Sequence, residues 1–154
     1  MHLFDHVIQA VRLLDENDWY SACARFNLRI ERIELKSSNG ILFISNYDRI
    51  IYLNIDIREN DNQSLYVIWH EIGHYVINYI VNQPIFMYKC DYRRSERLAD
   101  YFACSVMLKN IYSEQIPIPS LLVDCGCNTR VAWDYFQYLQ ENPSFFSHIG
   151  VSAN

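Results

Sequence analysis

The sequence has only four glycines and four prolines among 154 residues, which excludes a collagen-like or low-complexity chain. It has no basic surplus. Lys and Arg number 13 against 18 Asp and Glu, a net charge of -5, and nucleic-acid binders usually carry the opposite balance. No stretch approaches the ~18 uninterrupted apolar residues of a membrane span. The opening MHLFDHVIQAVRLLDEND lacks a basic region, and acidic residues interrupt its apolar positions, so it does not read as a signal peptide. These absences predict a cytoplasmic protein with no membrane partner and no direct nucleic-acid partner. CxxC is also missing. The five cysteines (Cys23, Cys90, Cys104, Cys125, Cys127) are odd in number, which predicts free thiols. Cys125 and Cys127 form a CxC pair, which lacks the usual zinc spacing.

What is present is hydrophobic patterning: 51% of the chain is apolar, enough for the core of one ordinary domain. Leu3, Val7, Ala10, Val11 and Leu14 recur at helical spacing, and a shorter helical turn follows around Trp19 to Phe26. LRIERIEL, ILFIS and IIYLNI are short β-rich runs separated by SSNG and NYDR, which predicts three antiparallel strands. A long apolar-periodic run, SLYVIWHEIGHYVINYIV, follows a polar segment in which Asp61, Asn62 and Ser64 are candidate N-caps, and Pro84 marks its end. It reads as the longest and most central helix. A loop over 83–92 and a helix over about 93–108 come next. Two short helices flank Gly126 within residues 118–141, and the tail from 142 reads as poorly packed.

The chemical signal is His70-Glu71-Ile72-Gly73-His74. Residues four apart on a helix share a face, so both imidazoles can reach one metal ion. Two His nitrogens suit Zn²⁺, and Glu71 stands beside them where a general base belongs. With five His and eight Glu in the chain, chance produces HExxH in about one such sequence in a hundred. A catalytic zinc needs a third protein ligand and an open position. Positions 77 and 80 are both Ile, so the metzincin extension is absent. Glu96 and Asp100, four apart on the following helix, offer a third ligand and a carboxylate for the free ring N–H of a ligand His. The competing reading is a solvated helix face in which both acids pair with Arg93, Arg94 or Arg97. Gly73 inside the helix costs ~1 kcal/mol against Ala, which points to a close packing approach. His2 and His6 are also four apart but have no evident third ligand.

HEIGH followed by ERLADYFACSVML resembles the ImmA/IrrE family of zinc metallo-endopeptidases, small bacterial, phage and mobile-element proteins. Glu96, Ala99, Asp100, Phe102 and Ala103 fall on the family's Glu-helix pattern, over a resemblance spanning roughly residues 25 to 140. Val106-Met107-Leu108-Lys109 departs from the family's usual Leu-Leu-Met-Pro-like ending. The resemblance implies an α+β fold: N-terminal helices over 1–27, a zincin-like core over 28–110 with a small antiparallel sheet, and a helix-turn-helix remnant over 118–141. It also implies one Zn²⁺ on His70, His74 and Glu96, with Asp100 behind them. The implied substrate is a protein, commonly a helix-turn-helix repressor encoded nearby.

On this reading the ion lowers the pKa of a water towards ~7 and polarises a peptide carbonyl, and Glu71 is the base. The oxyanion needs a further donor. Tyr75, Tyr92, Tyr101 and His148 are the candidates, and the sequence does not choose among them. The alternative function is a catalytically silent metal-binding or apo module that binds and titrates a regulator. A DNA-binding role for 118–141 is disfavoured, because Arg130 is the only basic residue there.

Overall fold

The computed structural model describes residues 4–14, 16–57, 62–81 and 92–151. His2, Asp61, Pro84, Cys90 and positions 83–91 of the loop expected over 83–92 lie outside the described residues, whereas Tyr92 belongs to a helix. Among the described residues the chain forms seven α-helices and one three-stranded sheet, an α+β architecture.

Helix α1 (Asp5–Leu13) buries Val7, Ala10 and Val11, the stripe its periodicity marks. Helix α2 (Trp19–Phe26) starts where the Asp18 carboxylate accepts the Ser21 N–H at 2.7 Å, and ends on Asn27 in the left-handed conformation.

The strands are β1 (Arg29–Ile33), β2 (Gly40–Ile44) and β3 (Arg49–Asn54). Their order, β1-β3-β2, corrects the expectation of an all-antiparallel sheet. β1 pairs parallel to β3, with Arg29 opposite Ile50 and Ile33 opposite Asn54, whereas β2 pairs antiparallel to it. The reason is burial. Ile50, Ile51 and Leu53 are all buried, so β3 needs cover on both faces and a neighbour on each side, while β1 and β2 are only half-buried. The β2–β3 turn is closed by Ser45, whose hydroxyl accepts the Tyr47 and Asp48 N–H groups. β2 is therefore an edge strand.

Helix α3 (Asn62–Tyr75) continues into a π-helical segment, Val76–Val81. Helix α4 (Tyr92–Ile111) packs along α3 and also meets α1, α5 and α6. The central position therefore belongs to α4 rather than to the HExxH helix. Every residue from Tyr101 to Leu108 is buried, because neighbouring helices surround that stretch. At Gly73, α3 lies against Phe102 of α4. A Cβ there would stand 2.7 Å from Phe102 Cδ1, so a side chain rather than a backbone supplies the close approach. Gly40 does the same between β2 and α3: its Cβ would meet Val67 Cγ1 at 2.6 Å.

Helices α5 (Ile118–Asp124) and α6 (Thr129–Glu141) are joined through Gly126, which has a φ of 92° and lies against the backbone of Asn62 and Gln63. Asn62 Nδ2 donates to the Asp124 carbonyl at 2.6 Å, tying the C-terminus of α5 to the start of α3. The tail is not loosely packed as expected. Residues 143–148 form α7 (Pro143–His148), and Phe145, Ile149 and Val151 are buried in the core. Each such side chain contributes about 1.5–3 kcal/mol when fully buried, enough to hold a short segment in place. Cys23, Cys104, Cys125 and Cys127 are free thiols. None of the described helices is long and apolar enough to cross a membrane.

Candidate metal centre

α3 presents His70 and His74 one turn apart, and α4 brings Glu96 over them. His70 Nε2 lies 3.1 Å from Glu96 Oε2 and 3.1 Å from His74 Nε2, and His74 Nε2 lies 3.0 Å from Glu96 Oε1. Donors bound tetrahedrally at 2.0–2.1 Å stand about 3.3 Å apart, a spacing close to the one these three side chains show. Among the described residues they are the only group of three or more His, Cys, Asp or Glu close enough to hold one ion. Two imidazole nitrogens and a carboxylate oxygen suit Zn²⁺, and no thiolate takes part.

Further groups contact these side chains from behind. Asp100 Oδ1 stands 2.8 Å from His70 Nδ1, an ion-pair contact well off the line of the ring N–H. The same oxygen accepts a hydrogen bond from the Tyr66 hydroxyl. Ser95 Oγ lies 3.3 Å from His74 Nδ1. The sequence reading anticipated Asp100 and missed the other two. Tyr66 precedes His70 by four residues, the spacing that puts both on one face, and Ser95 adjoins Glu96. The competing arrangement would pair Glu96 and Asp100 with arginines on a solvated face. Both acids turn to the histidines instead.

Electrostatics match this geometry in the metal-free state. Burial alone would lower the pKa of His70, but the Asp100 and Glu96 carboxylates outweigh it and raise the value to about 10. Burial works to raise that of Glu96, yet the two histidines hold it well below the ordinary carboxylate range. Glu71 is 6% exposed. Burial pushes its pKa up, partly offset by His70, His74 and a hydrogen bond from the Leu42 backbone N–H. A carboxylate made more basic in this way is better suited to accept a proton.

Glu71, His70, His74 and Glu96 line a cleft of about 630 Å³ whose far wall is the β2 edge at Gly40, Ile41 and Leu42. Of the four candidate oxyanion donors only Tyr92 lines this cleft. Tyr75 packs into the core against Phe26 and Tyr79. Tyr101, about 100° further round α4 than Asp100, is buried and donates its hydroxyl to the Asp134 carbonyl. His148 ends α7, where its carbonyl accepts from Arg12 Nε. Asn78, Tyr79 and Asn128 are further polar groups on the cleft wall. Comparison with protein-family models, curated proteins and solved structures returns no match.

Proposed function

We propose that the protein is a zinc-dependent endopeptidase that hydrolyses a peptide bond in a protein substrate. The observation that carries this reading is the placement of a buried, basic carboxylate, Glu71, beside a closed His70–His74–Glu96 donor set in an open cleft. When bound, zinc supplies Lewis acidity, which makes a water more acidic and a carbonyl more electrophilic. Glu71 accepts the proton of the attacking water and returns it to the leaving amine, and the Leu42 N–H keeps its carboxylate oriented. Asp100 and Ser95 fix the ring orientations of His70 and His74. Tyr92, the candidate donor that lines the cleft, is the one we assign to the developing oxyanion.

The substrate is an extended segment. Among the described residues β2 pairs with β3 alone and leaves its other edge beside the cleft, where a peptide can add as a further strand and pass Glu71. The ImmA/IrrE resemblance favours a helix-turn-helix repressor of a phage or mobile element as that substrate. A silent binding module is disfavoured by Glu71, because burying a carboxylate is costly and binding alone has no use for it. The test is incubation of zinc-loaded protein with repressors encoded beside its gene and with unfolded casein, with products read by mass spectrometry. Wild type should yield defined fragments and Glu71→Gln none. Equal fragmentation by both would overturn the assignment of Glu71. No fragments from either would favour the binding module.

A further inference from the structure

A second groove, about 1030 Å³, opens from the metal cleft. Tyr66, Tyr92, Glu96, Asp100 and Asn128 line both, so the two form one continuous channel. The groove runs between α4 and α6. Its charged lining is Arg93, Arg97 and Arg130 together with Glu96, Asp100, Asp134 and Glu141.

Its carboxylates are engaged. Asp134 faces Arg130 at 4.0 Å, and Glu141 accepts from Gln137 at 3.1 Å. Asp100 accepts from Tyr66, and Glu96 faces the histidines. Arg97 differs. Its guanidinium lies over the Phe4 and Tyr101 rings, 5.2 and 5.3 Å from their centroids, and donates to the Tyr101 hydroxyl at 3.3 Å. Among the described residues no carboxylate is in salt-bridge contact with it. A guanidinium carries five N–H donors in a planar fork shaped for a carboxylate. Here two aromatic rings and a phenol, itself fixed by the Asp134 carbonyl, hold that fork in place. A receptor held in advance loses little freedom on binding, so it discriminates well.

Building on the peptidase reading, we infer that Arg97 is a specificity-determining residue that selects substrates with an Asp or Glu side chain on one side of the scissile bond. The peptide backbone lies along β2, crosses the metal face, and lays its acidic side chain into the α4–α6 groove. Arg130, more exposed and already facing Asp134, adds positive potential at the rim.

The experiment is cleavage-site profiling on a peptide library made from a whole-proteome digest, using zinc-loaded wild type, Arg97→Ala, Arg97→Lys and Arg97→Glu. Wild type should show Asp and Glu enriched about tenfold at one fixed position, a size typical of a single well-placed ion pair. Arg97→Ala should lose the enrichment, Arg97→Lys should keep part of it, and Arg97→Glu should prefer Lys and Arg there. Unchanged zinc content in each variant shows that the metal helices remain in place. An acidic preference that survives in Arg97→Ala, or a wild-type profile with no acidic position, overturns the inference. Capture of the same library on immobilised, zinc-loaded Glu71→Gln separates this outcome from failure of the peptidase reading. Acidic peptides retained there and released by the added Arg97→Ala change support the groove even if nothing is cleaved. Equal retention with and without Arg97 overturns it.

Discussion

Replacing Gly73 by alanine sets two effects of opposite sign against each other. Helix propensity alone favours Ala by ~1 kcal/mol. The added methyl, however, would sit 2.7 Å from Phe102 Cδ1 and 3.2 Å from Cγ, whereas carbon atoms rest at about 3.5–4.0 Å. Roughly 1 Å of overlap must be absorbed. Phe102 is fully buried and has nowhere to swing, so α3 and α4 must part. Overpacking of this kind costs about 1–3 kcal/mol, which leaves a net loss of about 0–2 kcal/mol. The larger effect falls on the metal. α3 carries both histidines and α4 carries Glu96, and ligand distances tolerate only about ±0.2 Å. Gly73→Ala should therefore weaken zinc binding by about tenfold or more, as an imperfect coordination sphere does. Urea unfolding in chelator gives the stability change, and competition with a chromophoric chelator gives the affinity. A variant about 1 kcal/mol more stable, as propensity predicts, with unchanged zinc affinity, would show that the helices do not meet at Gly73 as described.

Other perturbations reach the site by different routes. Tyr66→Phe removes the donor to Asp100 and should lower zinc affinity by about tenfold, within the range for groups behind metal ligands; an unaltered dissociation constant would contradict the Tyr66–Asp100–His70 chain. Gly40→Ala pushes β2 off Val67 and Glu71, so it should reduce peptide cleavage while leaving zinc stoichiometry intact, and loss of zinc instead would place β2 in the wrong role. In metal-free protein the pKa of His70 is raised to about 10 from an unfolded value near 6.5. A raised value means that the folded state binds the proton more tightly. That stability is fully present below pH ~6.5 and is lost as pH rises through about 10. Thermal melts in chelator should show Tm falling across that window, with a shallower fall in Asp100→Asn; identical slopes would remove Asp100 from the account.

Much of this molecule is legible in its sequence. Helical spacing at Val7, Ala10 and Val11 marks a helix found where expected. The HExxH spacing brings two imidazoles onto one face, and the same rule applied to Glu96 and Asp100 finds their partners. Strand pairing was hidden because SSNG reads as a hairpin, while the linker it belongs to lets β3 slot between β1 and β2. The run of Ile50, Ile51 and Leu53 was the overlooked sign of a central strand. The tail's Phe145 and Ile149 are four apart, a helical signal outweighed by the proline before them. Among four candidate oxyanion donors, sequence had no means of telling core from cleft, since the direction in which Tyr75, Tyr92 or Tyr101 points is set by packing with distant elements.

Zinc content by mass spectrometry, on wild type, Glu71→Gln and Glu96→Ala after zinc loading and desalting, tests whether these residues form a catalytic metal site. Wild type and Glu71→Gln should each hold about one zinc per chain, and Glu96→Ala should lose most of it, since a catalytic zinc is held by three protein ligands. No zinc in any of the three, or full retention in Glu96→Ala, would contradict it.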